Sequence, residues 1–365
     1  MRTATTVEAS GAPWGETVDL VVEAERLGLD VCWVAEAWGS DAPSPLGFLA
    51  ARTERMLLGS GVVQVGTRTP ALIAQTALTL QAMSEGRFLL GLGSSGPQVV
   101  EGLHGVPFAH PLGRMRETVE VVRRVMAGEK VTYDGRHVVL PLPGGEARPM
   151  RVSVTAEEPV PIYLATLSPR MLRLTGEVAD GWLGTSFVPE GAAASLEPLA
   201  AGAAAAGRRL ADLDLCQGAE VAFARDPDEL AAMLDARRAG LAFSLGGMGS
   251  ASRNFYHDAY ARQGFADVAA EVRSLWQEGR RDAAAQAVPR AMVAATTLIG
   301  TEDGVRERLR AWRDAGITTV RLYPAGADLS ERLDTLGRAI ELVRDTERQG
   351  EHADGGAGAI GDGVG

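Results

Sequence analysis

Cysteine is scarce in this 365-residue chain: only Cys32 and Cys216 are present, far apart and each in an apolar context. Such spacing favours two buried thiols over a disulfide or a metal pair, and suits a reducing, cytoplasmic setting. An excess of positive charge is also lacking. The formal net charge is −11, which argues against nucleic acid as the main partner. Any bound polyanion must therefore be held by local donors. No apolar run approaches the roughly 18 residues of a membrane span, so no membrane partner is expected. The opening MRTATTVEAS has no apolar core of a secretion signal. Five histidines occur, His104, His110, His137, His257 and His352. None has a His, Cys or carboxylate neighbour at metal-ligand spacing, so no metal is expected. Neither a Ser-His-Asp order nor a nucleophile elbow is visible. A chain with no evident nucleophile or metal of its own points to chemistry borrowed from an organic cofactor.

The remaining composition, 46% hydrophobic and 23% charged, is that of a globular protein with material for a large core. One unit recurs along it: an amphipathic helix, a glycine stop, then a short β-rich run. TVDLVVEAERLGLDVCWVAE has it with Gly28, TALTLQAMSEGRFLLGLG with Gly86, and GVRERLRAWRDAGITTVRLY with Gly316. The glycines suit the left-handed position just past a helix end. The strands read as continuous apolar runs, as in a parallel sheet buried on both faces. Helix–strand alternation means an α/β fold, either a closed barrel or an open doubly wound sheet. Strands are expected at 2–7, 31–36, 56–65, 87–92, 161–165, 180–184, 212–223 and 318–323. Eight of them favour the (β/α)8 barrel. Residues 1–348 then form one domain with two insertions. Residues 129–160 contain KVTYDGRHVVLPLPGG, a hairpin turning at Asp134-Gly135, and residues 245–297 hold a loop and alanine-rich helices. The Gly-rich acidic tail 349–365 is expected to be disordered.

Barrel chemistry sits where strands end and loops begin. After the second strand, WVAEAWGSD places Glu36 at the mouth, followed by Trp38. Glu36 is read either as a carboxylate facing a ligand or as a capping acid. In LLGSGVVQV, Gly59 and Gly61 flank Ser60; glycines within a strand mark a bulge or a close approach. The fourth strand runs into GLGSSGPQVVEG. Gly91, Gly93, Ser94, Ser95 and Gly96 expose several backbone N–H groups at a helix start, which suits phosphate or another anion. A plain turn is the alternative. PIYLATLSPRM offers Thr166 and Ser168, with Ser168 before Pro169 as an N-cap and as part of a second anion site.

Four segments carry a resemblance: WVAEAWGSDAPSPLGFLAARTERMLLGSGVVQV, TRTPALIAQTALTLQAMSEGRFLLGLGSSGPQVVEGLHGVPF, PIYLATLSPRMLRLTGEVADGWL and GGMGSASRNFY. With them the chain resembles the luciferase-like monooxygenase superfamily, and within it the F420-dependent oxidoreductase branch, up to about residue 345. The resemblance implies a TIM barrel, the deazaflavin coenzyme F420 at its C-terminal mouth, and a possible homodimer. It implies a non-prolyl cis peptide near Ser60, Gly61 and Val62, with Gln64 contacting the ring. It places the coenzyme phosphate and its tail at Gly93, Ser94, Ser95, Gly96, Thr166, Leu167 and Ser168. Arg68, Arg114, Arg170 and Arg253 are candidates for the end of that tail, against an ordinary surface role.

The implied activity is hydride transfer between the deazaflavin C5 and a small organic substrate bearing C=C, C=N or a carbonyl or alcohol. Trp38, His104, Trp182, Phe187 and Asn254 are expected to finish the substrate pocket; Trp182 can equally be core. One departure stands out. Several F420 relatives pair an acid with a histidine after the second strand, and here Glu36 matches the acid while Ala37 holds the histidine position. Proton transfer then falls to Glu36, substrate groups, water or a loop residue. The rival readings are an FMN-dependent monooxygenase using dioxygen and a non-catalytic flavin- or deazaflavin-binding protein.

Overall fold

The computed structural model describes residues 1–10, 13–249 and 254–356, with side chains up to residue 348. Its strands are β1 (Arg2–Val7), β2 (Val31–Val34), β3 (Leu57–Ser60), β4 (Val63–Gln64), β5 (Phe88–Gly93), β6 (Tyr133–Asp134), β7 (Val139–Leu140), β8 (Ile162–Ala165), β9 (Gly181–Leu183), β10 (Asp214–Phe223), β11 (Leu298–Gly300) and β12 (Thr319–Pro324). Eight parallel strands close a ring in the order β1, β2, β3, β5, β8, β9, β10, β12, with β12 returning to β1. The expected barrel is present. The expected strand 56–65 is divided by a break at Gly61–Val62 into β3 and β4. β11 lies beyond the expected eight and extends the sheet beside the end of β10.

Helices cover the outside. Several start where proline and a capping side chain coincide: Thr69 accepts from the Leu72 N–H before Pro70, and Asp226 from the Glu229 N–H before Pro227. The glycine stops behave as expected: Gly28 and Gly316 sit at φ 89° and 94°, a region that side chains with a Cβ rarely enter.

The pleat divides the core into two layers. Inward-facing Ala4, Val31, Trp33, Leu89, Tyr163, Leu183 and Cys216 fill the barrel. Outward-facing residues such as Leu58, Leu90, Leu164, Leu215 and Val320 pack beneath the helices. The N-terminal end of the barrel is closed by a polar knot. Arg2 pairs with Asp214 at 2.6 Å, and Asp214 also accepts from the Tyr163 and Thr319 hydroxyls.

The hairpin expected at Asp134-Gly135 is the β6–β7 pair, closed by the Gly135 N–H donating to the Val138 carbonyl. The second insertion is a helical cap whose Leu245, Tyr260, Val272 and Met292 share an apolar cluster with Leu234 of the preceding helix Pro227–Ala242. Residues 250–253 of its loop, Arg253 among them, lie outside the described residues. The final helix, Leu329–Gly356, runs past the expected boundary at 348, so part of the tail expected to be disordered is helical; residues 357–365 lie outside the described residues.

Candidate functional site

The C-terminal ends of β3, β5 and β8 are neighbours in the ring. At the first, the Gly61–Val62 peptide is cis, as the resemblance implies. Ser60 is committed elsewhere. Its hydroxyl donates to the Gly91 carbonyl and accepts from the Gly91 N–H, each at 2.9 Å, and the residue is fully buried. These bonds tie β3 to β5 and commit the Ser60 hydroxyl to the barrel wall. The glycines here answer to close packing. A Cβ on Gly59 would lie 2.3 Å from the Trp33 ring, one on Gly91 1.9 Å from the Ser60 carbonyl oxygen, and one on Gly93 2.5 Å from Val62. Trp33 inside the barrel and the cis bulge therefore both require bare backbone beside them.

Beyond β5 the chain changes character. Ser95 adopts φ 56°, and among the described residues no acceptor takes the backbone N–H groups of Ser94, Ser95 and Gly96. Successive unpaired N–H groups of this kind form an anion-binding concavity. A Cβ on Gly96 would meet only Gln98 Oε1, at 3.7 Å, so the loop is open on that side. The partner loop after β8 stands beside it, because Gly93 is in register with Ala165. Ser168 caps the helix Pro169–Val178 by position, yet its hydroxyl makes no capping bond and is left available. Thr166 is not: its hydroxyl shares a 2.8 Å bond with Thr175, and its carbonyl accepts from Trp182 Nε1. The helical cap is fastened to both loops. Gln98 donates to the Gly249 carbonyl, and Arg262 to the Leu167 carbonyl at 2.8 Å.

After β2, Glu36 is clamped rather than free. Arg68 forms a two-pronged ion pair with its carboxylate, and the Ala42 N–H donates to Oε2 at 2.9 Å. The carboxylate thus fixes the loop 37–42 against the chain after β4. Gln64 braces the same loop, donating to the Ala37 carbonyl at 3.0 Å. Its Oε1 is buried with no hydrogen-bond partner. A buried acceptor left unpaired costs about 1–3 kcal/mol, so a donor from a bound group would stabilise it. The open N–H groups, the unused Ser168 hydroxyl and Gln64 Oε1 fit a phosphate-bearing ring cofactor.

Of the residues expected at the substrate pocket, Trp182, Phe187 and Asn254 are buried. Trp182 alternates with inward Leu183 on β9 and so faces outward; it packs edge-on to Phe187, which stacks edge-on to Trp312. Both are core residues under the helices. Asn254 is consumed by the cap: its amide donates to the Ser244 and Leu245 carbonyls and its oxygen accepts from the Tyr256 and His257 N–H groups. Trp38 and His104 are exposed, on the loops after β2 and β5. Of the tail candidates, Arg68 is the partner of Glu36 and Arg170 is exposed. Arg262 and Gln98, which join the cap to the loops, carry no distinguishing sequence signal. Arg321 does: it is a charged residue at an inward position of the apolar run TTVRLY, and it is buried inside the barrel.

Comparison with known proteins gives the family. Residues 1–319 match the luciferase-like monooxygenase family. A Mycobacterium tuberculosis protein provisionally named a coenzyme F420-dependent oxidoreductase is 39% identical over 328 residues, covering 87% of this chain and 93% of its own. The 5,10-methylenetetrahydromethanopterin reductase of Methanolobus tindarius is 30% identical, covering 87% and 93%. Among solved structures, the coenzyme F420-dependent tetrahydromethanopterin reductase of Methanopyrus kandleri superposes with a TM-score of 0.78 at 22% identity, over 93% of this chain and 98% of that one; at that identity the likeness speaks for the fold. The chain belongs to the luciferase-like monooxygenase family, alongside relatives named as F420-dependent oxidoreductases.

Proposed function

We propose that the protein is an F420-dependent oxidoreductase acting on a small organic substrate with a C=C, C=N or carbonyl/alcohol function. The observation that carries this reading is the run of unpaired N–H groups at Ser94, Ser95 and Gly96 beside the unused Ser168 hydroxyl. When bound, F420 supplies a hydride carrier at the C5 of its deazaflavin ring.

The chain's own residues have separate tasks. Gly93 to Gly96 and Ser168 hold the phosphate, with N–H and O–H donors aimed at an anion. Gly61, Val62 and Gln64 line the side of the ring, and Gln64 Oε1 gains a donor there. Leu167 contributes its carbonyl to Arg262 and so closes the cap over the tail. Glu36 acts as a positioning residue: paired with Arg68, it sets the loop that carries Trp38. Trp38 and His104 stand at the rim for the substrate.

The test is a titration of purified protein with F420 and with FMN, followed by quenching of tryptophan fluorescence. Micromolar or tighter F420 binding with FMN at least tenfold weaker is expected. A preference for FMN would reassign the cradle to a dioxygen-using monooxygenase. Tight F420 binding without turnover of enones, imines or alcohols would leave a binding protein.

A further inference from the structure

Two arginines point into the barrel, and only one has an acid. Arg2, at the N-terminal end, is paired with Asp214. Arg321, on β12 nearer the mouth, is 7% exposed. Among the described residues, its Nη2 donates to the Gly184 carbonyl at 3.0 Å, and Tyr323 stands beside it, with the ring centre 5.6 Å away and the phenol favouring the charged guanidinium. Its Nε is buried with no acceptor. Among the described residues no carboxylate forms an ion pair with it. A buried charge without a counter-charge is among the costliest features a core can carry.

The neighbourhood is shaped around this guanidinium. Arg321 is in register with Ala4 on one side and Gly218 on the other. Both are small. A Cβ on Gly218 would come within 3.0 Å of Arg321 Nε and 2.8 Å of Tyr323. One inward step below it in register lies Cys216, paired with Leu183 of β9, and both belong to the apolar barrel core. On β1 next to β12, the Thr6 hydroxyl is likewise buried without a partner. Arg321 Nε and the Thr6 hydroxyl thus lie on one face of the barrel interior, each without a hydrogen-bond partner among the described residues.

The ring order says which ligand reaches them. From β12, β5 is four strands away in either direction, through β1, β2 and β3 or through β10, β9 and β8. Arg321 therefore stands diametrically across the barrel from the Gly93–Gly96 loop. The proposed cofactor residues lie on β3 to β8, and the β12 side is left to the substrate. We propose that Arg321 is the substrate-anchoring residue of this site and that the substrate carries a carboxylate, held by the Arg321 guanidinium on the wall opposite the cofactor cradle. A single guanidinium with one free Nε–H matches a singly charged planar oxyanion. This inference rests on the cofactor reading above.

The test compares wild type with Arg321→Met and Arg321→Lys, each first titrated with F420. The F420-loaded proteins are then titrated with crotonate and cinnamate, and with their methyl esters, following coenzyme fluorescence. Wild type is expected to bind at least one carboxylate tenfold or more tighter than its ester. Arg321→Met should weaken that carboxylate by roughly ten- to a hundredfold, as expected for a lost charge-assisted bond. Its ester should bind unchanged, Arg321→Lys should retain part of the preference, and F420 affinity should stay within threefold throughout. Carboxylates bound no better than esters by wild type overturn the proposal, as does a preference that survives in Arg321→Met. Loss of F420 binding in Arg321→Met, with Arg321→Lys still folded by circular dichroism, overturns it too by assigning the guanidinium to the coenzyme. Failure of wild type to bind F420 at all is distinct, since it overturns the cofactor reading first.

Discussion

Arg68 closes a two-pronged ion pair on Glu36, and both groups are largely withdrawn from solvent. The pair joins the chain after β4 to the loop after β2, so it couples the two segments nearest the cis peptide. Removing one partner leaves the other charge poorly solvated. Arg68→Met should therefore destabilise the protein by about 2 kcal/mol, between the values for exposed and fully buried pairs. The double variant Glu36→Gln, Arg68→Met should recover more than half of that. Urea denaturation of the three proteins measures both; equal losses in the single and double variants would show that the pair is not coupled.

Much of this architecture is readable from residues alone, for identifiable reasons. The barrel is legible because some helices stop at a glycine that only a left-handed turn explains, as at Gly28 and Gly316, and because β2 and β5 are apolar runs buried along their whole length. β11 is not, since three residues carry no periodicity. The glycines of the third strand announce a bulge without saying what needs the room; Trp33, far away in sequence, does. Trp182 illustrates the limit most clearly. A tryptophan at a strand's end near the mouth suits a pocket or a core equally, and one step of the pleat, Trp182 outward and Leu183 inward, decides it. Partners distant in sequence, such as Arg68 for Glu36, leave no local pattern.

The cradle makes a sharp contrast between two glycines five residues apart. Gly96→Leu places its side chain where only Gln98 Oε1 is near, at an extended φ of −134°. Its unfolding free energy should stay within about 0.5 kcal/mol of wild type, while F420 affinity falls at least tenfold. Gly91→Ala drives a Cβ into the Ser60 carbonyl and should instead cost about 1–3 kcal/mol of stability. Fluorescence titration and thermal melts of the two variants separate these outcomes. Unchanged affinity of Gly96→Leu for both F420 and FMN would place the anion elsewhere.

Acid should loosen the β6–β7 hairpin early. Burial raises the Glu117 carboxyl pKa, but N–H donors from His137, Val138 and Arg136 outweigh it and hold the group below its ordinary value. A depressed folded-state value means that the stabilisation is complete above the unfolded-state value, about 4.3. It is lost as pH falls through the lower, folded-state value. Wild type should therefore lose melting temperature steadily below about pH 4.5. Glu117→Gln should melt lower at pH 6 and show a shallower acid slope. Parallel slopes for the two proteins between pH 6 and pH 3 would show that Glu117 contributes nothing to the acid response.

The two thiols report on the barrel interior. Cys216 lies on the inward face directly beneath Arg321, and Cys32 faces outward under the helices. Burial pushes both up to about 12, and the nearby Arg321 charge only partly opposes this at Cys216. Only a thiolate reacts readily with alkylating agents. At pH 8 the folded protein should thus take up no iodoacetamide at either site, while denatured protein takes up two, as read by intact mass. Slow labelling confined to Cys216 would show that the barrel floor opens toward the mouth. It should then be suppressed by any ligand that seats against Arg321, and be faster in Arg321→Lys than in Arg321→Met, because a retained cation favours the thiolate.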